Sequence, residues 1–433
     1  MRMTRRAFLG AAAVGAAAPN IVPARVLGRE GHTPPSGQVT LGVIGTGNKG
    51  THGMGMFLTH TDARVLAVCD VERGAREHAK ALVDDYYGNG GCAAYGDFRE
   101  LLARTDIDAV LIGTPDHWHV PIALRAVEAG KDIYCEKPLS NTIREGRALV
   151  SAVQEKGIIF QHGTQLRSID NVRRACELVR NGRIGELTRV VIGSPPGEEL
   201  LEPQPILPVP EGLDYDMWLG PAPEAPYTPR RMKVPGELPG WYFISDYCKS
   251  GFVACHAVHD IDIAHWGMDT EQGGPLTIEG EGVFPERGLF DTVTTYRLEF
   301  TYPNGVTILM TSTDQNPHGV RFEGTEGWVY TRREIEAEPA SLLEQPLPAD
   351  AVRLYESDIH ERNFIDCVKS RREPITPVET AHRATSTGHL GGIALKLGRK
   401  LTWDVDSERF VNDSEADALL SCPMRAPWQV EMA

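Results

Sequence analysis

Three glycines spaced as Gly45-x-Gly47-x-x-Gly50 stand between the apolar run Val39–Ile44 and a helix-like segment ending near Leu58, and Asp70 follows Gly50 by 20 residues. That spacing suits a dinucleotide. Gly45 permits a tight turn, Gly47 lets the backbone approach a pyrophosphate, Gly50 lets helix and strand pack closely, and the helix amides face the phosphates. Thr46, Asn48 and Lys49 complete the loop. Asp70 is placed to accept hydrogen bonds from the adenosine ribose, and its charge would repel a 2′-phosphate. NAD is therefore expected in preference to NADP, a preference softened by nearby Arg73 and Arg76. Further along, Thr114, His119 and the pair Glu136-Lys137 stand at or just beyond the ends of two more apolar runs. Ligands gather at the carboxyl ends of strands in parallel sheets. The segment Cys255-His256-Ala-Val-His259-Asp260-Ile-Asp262-Ile-Ala-His265-Trp266 then sets histidines and carboxylates at helical spacing. Such side chains can ligate a metal. For His265, beside Trp266, a packed helix-face histidine is the preferred reading, and no metal is expected.

The elements that must position these groups alternate. Strand-like runs at 64–69, 106–113, 131–135 and 158–162 are separated by helical stretches at 120–129 and 141–156. This rhythm specifies a parallel sheet with helices on both faces, so residues 39–162 read as an NAD-binding Rossmann domain. A chain of about 400 residues beyond the amino-terminal segment exceeds what one core organises, so a second domain is expected. It spans 163–400, serves substrate binding and oligomerisation, and leaves 401–433 as a carboxyl-terminal tail. There the rhythm changes to a helix at 169–181, strands at 187–193, 277–284, 293–302, 306–312 and 320–331, and helices at 358–370 and 378–399. Pro303-Asn304-Gly305 carries the Asn-Gly hairpin signal, which makes its flanking strands antiparallel neighbours. Gln165 and Arg167, just past the last Rossmann strand, are candidate substrate contacts. Trp218, Trp241, Asp246 and Tyr247 offer aromatic faces and a carboxylate suited to sugar rings, with loop packing as the alternative. The Pro-rich stretch 195–240 is too long for a plain connection. It reads as a binding or subunit-contact loop, and a homo-oligomer is expected.

Residues 1–38 read as a signal and linker. Arg5-Arg6 after Thr4, then Phe8-Leu9 and an Ala/Gly/Val run, match the twin-arginine export address, which places the protein in the periplasm or another extracytoplasmic space. The apolar part is shorter than the roughly 18–20 residues of a spanning helix, so no membrane span is expected. A formal charge of −15 argues against nucleic acid as a partner. Eight cysteines show no CxxC pair. Cys69, Cys135 and Cys176 read as buried thiols, without a disulfide framework.

Taken together, Gly45–Gly50, Asp70, Thr114-Pro115…His119, Glu136-Lys137-Pro138 and His259-Asp260-Ile261-Asp262 resemble the Gfo/Idh/MocA oxidoreductases over most of the chain. The resemblance implies an α/β protein: an amino-terminal Rossmann domain followed by an α/β domain with an open, mostly antiparallel sheet. It also implies a sugar, polyol or glycoside substrate held between them. Lys137 takes the position of the family's catalytic lysine, on a Lys-Pro peptide that is often cis, and a nicotinamide cation would lower its pKa. His259 takes the position of the family histidine, while Cys255 stands where an aspartate is expected. His256, three residues before His259, is the candidate to take over that role. The implied activity is NAD(P)-dependent oxidation of a hydroxyl. The cofactor should be tightly bound, because exported compartments hold little free NAD. Two other readings stay open. One is an NAD-dependent glycosidase or lyase working through transient oxidation and elimination, to which the missing aspartate points. The other is a non-catalytic sugar-binding protein that retains NAD, against which Lys137 and His259 together argue.

Overall fold

Continuous apolar runs with no polar alternation form strands buried on both faces, and here they build one parallel sheet. In the computed structural model, which describes residues 33–232 and 237–430, these strands are β1 (Val39–Ile44), β2 (Ala63–Cys69), β3 (Ala93–Tyr95), β4 (Ala109–Ile112), β5 (Asp132–Cys135) and β6 (Phe160–His162). The twin-arginine segment read at residues 1–28 lies outside the described residues. The sheet order is β3-β2-β1-β4-β5-β6 with every pair parallel, so the chain reverses direction across the sheet between β1 and β4. Helices α1 (Asn48–Leu58), α2 (Arg73–Tyr87), α3 (His119–Glu128) and α4 (Ile143–Lys156) cover its faces. Helix α2 starts where Glu72 accepts from the Gly74 and Ala75 amides and stops at left-handed Gly88. Helix α4 starts on Thr142 and stops at left-handed Gly157. Both are side-chain N-caps with glycine C-caps.

After α5 (Asp170–Arg180) comes a nine-stranded sheet of β7 (Leu187–Ser194), β8 (Thr277–Val283), β9 (Thr295–Thr301), β10 (Thr307–Ser312), β11 (Gly319–Gly324), β12 (Trp328–Thr331), β13 (Ile335–Glu338), β14 (Leu401–Asp404) and β15 (Arg409–Phe410). Its order is β13-β12-β11-β7-β10-β9-β8-β14-β15, and only β7 and β10 run parallel. The Asn304-Gly305 turn joins β9 to β10 as an antiparallel hairpin, Thr301 opposite Thr307. The run expected as one strand over 320–331 is two, β11 and β12, joined by a turn at Thr325–Gly327. Helices α6 (Phe252–Cys255) and α7 (Val258–Met268) follow the long loop, and α7 is buried on nearly every side.

The last helices tie the domains together. On α8 (His360–Ser370), Phe364, Ile365 and Cys367 pack with Leu41, Phe57 and Tyr134 in the Rossmann core. Helix α9 (Val378–Leu397) gives Val378 and Ala381 to the Rossmann side and Ala384, Leu390 and Ile393 to the second core. Thr385 Oγ1 accepts from the Leu139 amide at 3.2 Å, and a ring nitrogen of His389 lies 3.0 Å from the Ser140 carbonyl. The chain beyond residue 400 differs from the expected tail. Strand β14 extends the second sheet on β8, and Trp428 packs edge-on against Trp118 with ring centres 4.9 Å apart. Short strands paired at a sheet edge, and a lone tryptophan, carry little periodicity to read. Among the described residues, no helix is long and apolar enough to cross a membrane.

Candidate functional site

The glycine turn lies at the reversal between β1 and β4, where open parallel sheets bind ligands. Gly45 has φ +83°, and a Cβ there would stand 2.7 Å from the Thr114 amide nitrogen. A Cβ on Gly50 would stand 1.8 Å from the Gly45 carbonyl oxygen, so only glycine lets α1 sit this close to β1. Gly47 is different. It caps α1 without any side-chain hydrogen bond to the first-turn amides, and a Cβ there would meet nothing within 4 Å. Open space beside a helix amino terminus is a cradle for an anion, so these residues fit a dinucleotide pyrophosphate. Asn48 and Lys49 form the first turn of α1, and Lys49 Nζ lies 3.3 Å from Glu136 Oε1.

Asp70 immediately follows β2 and is half-buried. Its Oδ2 accepts from the Thr46 amide at 2.7 Å and the Thr46 hydroxyl at 3.2 Å, and its Oδ1 from the Glu72 amide at 2.9 Å. Burial pushes its pKa up, and these backbone bonds oppose the shift. Arg76 donates to the Asp70 carbonyl, and Arg73 reaches Glu211 at 3.9 Å. At the end of β4, the Thr114 carbonyl lies 2.9 Å from His119 Nε2, whose other ring nitrogen lies 2.6 Å from the Pro138 carbonyl. Burial pushes His119 down to about 4, and the neutral ring, which donates to one of these two carbonyls, packs between the β4 end and the Lys137–Pro138 segment.

Lys137 leaves the end of β5 on a cis peptide to Pro138. Its ammonium donates to the Cys255 carbonyl at 2.7 Å and sits 5.5 Å from the Tyr242 ring centre. Burial alone would lower its pKa, but Tyr242, Cys255, Asp116 and Glu136 outweigh it and hold the lysine above its ordinary range. This is the reverse of the lowered value expected, because that expectation rests on a nicotinamide cation beside the amine. The chain by itself surrounds Lys137 with groups that favour its proton.

The His-rich segment is not one helix. Helix α6 ends at Cys255, a turn takes up His256 and Ala257, and α7 starts at Val258. His256 and His259 nevertheless face each other with ring centres 6.4 Å apart, and His318 stands 5.3 Å from His256. Burial first, then the Lys137 charge, keeps both histidines neutral, His256 down at about 3 and His259 well below its ordinary value. Asp260 also reaches His318, at 3.5 Å, whereas Asp262 and His265 point elsewhere. Asp260 pairs with Arg332 at 2.8 Å, Asp262 holds Arg167 at 2.7 Å, and His265 bonds the Tyr302 hydroxyl at 2.7 Å. The set of possible metal ligands on this segment is therefore dispersed into separate pairings.

The candidate substrate residues also separate. Gln165 donates to the Tyr134 hydroxyl at 3.1 Å and to Glu136 Oε1 at 3.3 Å, which places it beneath the lysine's strand end. Arg167 is buried between Asp262 and Glu271, both at 2.7 Å. Trp241 packs on Tyr242 with ring centres 3.9 Å apart, one aromatic removed from Lys137. Asp246 instead lines a separate cavity of about 150 Å³ with Glu145, Lys249 and Cys422. Trp218 is packed against His117 and Tyr247. Sequence reasoning passed over Tyr242, Asp116, His318 and Arg332. Asp116 sits inside the quoted Thr114…His119 motif and Tyr242 inside the aromatic run, so both had a local signal. His318 and Arg332, flanking β11 and β12, had none.

Comparison with known proteins follows this division. Residues 39–164 match the profile of the oxidoreductase family's NAD-binding Rossmann fold, and residues 195–430 match its C-terminal alpha/beta domain. A glycosyl hydrolase family 109 protein of Saccharopolyspora erythraea is 33% identical over 156 residues, 34% of this chain and 33% of that one. A levoglucosan dehydrogenase of Pseudarthrobacter phenanthrenivorans is 40% identical over 91 residues, 21% of this chain and 23% of that one. The match spans only about a third of the first of these relatives and less of the second. Among solved structures, myo-inositol dehydrogenase from Lactobacillus casei, in complex with NAD(H) and myo-inositol, aligns with a TM-score of 0.59 at 20% identity over 85% of this chain and 97% of that one. Aldose-aldose oxidoreductase from Caulobacter crescentus, complexed with glycerol, aligns with a TM-score of 0.62 at 18% identity over 84% of this chain and 99% of that one. With both halves matched, and the second covering more than half of the sequence, the chain belongs to the Gfo/Idh/MocA oxidoreductase family.

Proposed function

We propose that this protein is an NAD-dependent oxidoreductase acting on a hydroxyl of a sugar, polyol or glycoside. The observation that carries the reading is the meeting of Lys137, at the end of a Rossmann strand, with Cys255, His256 and His259 of the second domain. Gly47 and the α1 amides hold the pyrophosphate, and Asp70 receives the ribose hydroxyls on its remaining lone pairs. Bound NAD supplies a hydride acceptor. Lys137, once it has lost its own proton, takes the hydroxyl proton as the carbon is oxidised, and the neutral rings of His256 and His259 orient the reacting hydroxyl by hydrogen bonding. Tyr242 and Trp241 wall the site with aromatic faces for a sugar ring. The names of the levoglucosan and myo-inositol dehydrogenases support this substrate class. In this reading the cofactor is retained through turnover, the protein is exported through its twin-arginine segment, and it works as a homo-oligomer.

A second reading is favoured by Cys255 and by the family 109 relative: oxidation serves to acidify the neighbouring C–H, an aglycone is eliminated, water adds, and the hydride returns. Incubating the NAD-loaded protein with a panel of free sugars and glycosides in heavy water separates the two. A keto-sugar formed with stoichiometric NADH and no deuterium incorporation is the expected result. Aglycone release with deuterium beside the oxidised carbon and no net NADH would instead establish the elimination route. Protein that retains no dinucleotide by native mass spectrometry, and binds none, would end both.

Asp70→Ala tests the choice of cofactor. Losing the ribose hydrogen bonds and the charge should weaken NAD by about tenfold while leaving NADP binding nearly unchanged. Fluorescence titration with each cofactor measures this, and equal losses would remove the argument for NAD.

A further inference from the structure

We propose that Asp116 is a positioning residue whose charge governs when Lys137 carries its proton. The proposal rests on the reading above, in which Lys137 receives the substrate's hydroxyl proton.

Asp116 opens the single 3-10 turn Asp116–Trp118 that follows β4 and is 1% exposed. Neither of its carboxylate oxygens receives a well-formed hydrogen bond among the described residues, although the Cys248 thiol and the Asp116 backbone amide lie against it. Buried carboxylates that serve only structure collect amide or guanidinium donors, as Asp262 does from Arg167. Asp116 has collected no such bond. Two thiols of the second domain lie against it: the Cys248 and Cys255 sulfurs and an Asp116 oxygen all lie within 4.8 Å of one another. Two thiols and a carboxylate are ligand types for a metal, but the Lys137 ammonium beside them opposes a divalent cation.

Lys137 donates to the carbonyl of Cys255 at 2.7 Å, and the sulfur of that same Cys255 lies within 4.8 Å of an Asp116 oxygen. The ammonium and the carboxyl therefore act on each other across one residue, without direct ion-pair contact. Tyr242 and Cys135 also face the carboxyl, and the adjacent His117 is kept neutral by burial. Burial pushes Asp116 up to about 7, against the pull of Lys137 and the Cys248 thiol. It therefore changes charge near neutral pH, in a place where water cannot screen it. Ionised, it favours the ammonium form of Lys137. Protonated, it withdraws that support and frees the amine to accept a proton. Asp116 touches neither substrate nor cofactor in this account. It acts through the lysine, across the domain junction that Cys255 closes.

The test uses the NAD-loaded enzyme. In Asp116→Asn the lysine loses a negative neighbour, so its pKa falls and the acidic limb of the kcat–pH profile should move about one unit lower. Asp116→Glu should return the limb towards its original place, and native mass spectrometry should show NAD retained in both. The interaction is mutual, so a second measurement needs no turnover. In Lys137→Met, infrared difference spectra over pH should show a buried protonated-carboxyl band surviving to about one unit higher pH than in the parent. An Asp116→Asn limb that stays in place, or a band that titrates identically with and without Lys137, overturns the proposal. Should Asp116→Asn fail to fold, the infrared comparison decides alone. A protein that oxidises none of the sugars but shows the infrared shift would sink the proposed function and leave this coupling standing.

Discussion

Replacing Lys137 by methionine is expected to lower turnover at least about a hundredfold, the ordinary scale for a general acid–base group, while the protein keeps its NAD. Methionine preserves the length and apolar stem that the buried position requires. It removes the Nζ atom that bonds the Cys255 carbonyl and that, in the proposed reaction, takes the hydroxyl proton. The dinucleotide cradle is built from β1, α1 and the β4 end, so the loss should fall on kcat and not on cofactor retention. His259→Ala should impair turnover as well, by a smaller factor, because a neutral ring can orient a hydroxyl without taking its proton to completion. Steady-state kinetics with the substrate found in the sugar panel, alongside native mass spectrometry, reads both effects. Near-normal turnover in both variants would mean that the chemistry takes place elsewhere.

The two glycines flanking the first turn of α1 should respond in opposite ways. Gly47→Ala has room: its φ of −65° suits any residue, and a Cβ meets nothing within 4 Å. The variant should fold with an unchanged Tm, yet its methyl group would occupy the pyrophosphate cradle and weaken NAD at least about tenfold. Gly50→Ala has no room. Its Cβ would stand 1.8 Å from a backbone oxygen that cannot swing aside, so helix and strand must separate. Overpacking of this kind costs about 1–3 kcal/mol or more, which should appear as a Tm lowered by several degrees. Thermal melts and cofactor titration of the two variants distinguish a binding glycine from a packing glycine. A Gly47→Ala protein with full affinity would show that no phosphate rests on that turn.

Much of this was legible locally. The GxGxxG turn, Asp70 and the Glu136-Lys137 strand end could be read because a parallel strand buried on both faces writes itself as an unbroken apolar run. Once those runs were in place, the residues just beyond them had to converge on one edge of the sheet. The Asn304-Gly305 hairpin was equally plain, since few turns fit the twist between antiparallel strands. The chemistry of the second half was less so. The helical spacing of the His-rich segment suggested one shared face, but the chain turns at His256 and Ala257, and Asp260, Asp262 and His265 each find distant partners.

From the sequence alone came the Rossmann half, its cofactor turn and the lysine at the end of β5. Only the tertiary structure decided what faces that lysine. The Cys255 carbonyl, 118 residues further along the chain, accepts its proton bond, and Tyr242 and Asp116 set its charge environment. It also placed Asp246 in a different cavity and committed Arg167 to buried carboxylates. The physical reason is one of range. Backbone dihedrals and burial periodicity are written within a turn of helix or a few residues of strand, whereas ion pairs and pKa values depend on which distant segments the closed fold brings within a few ångströms.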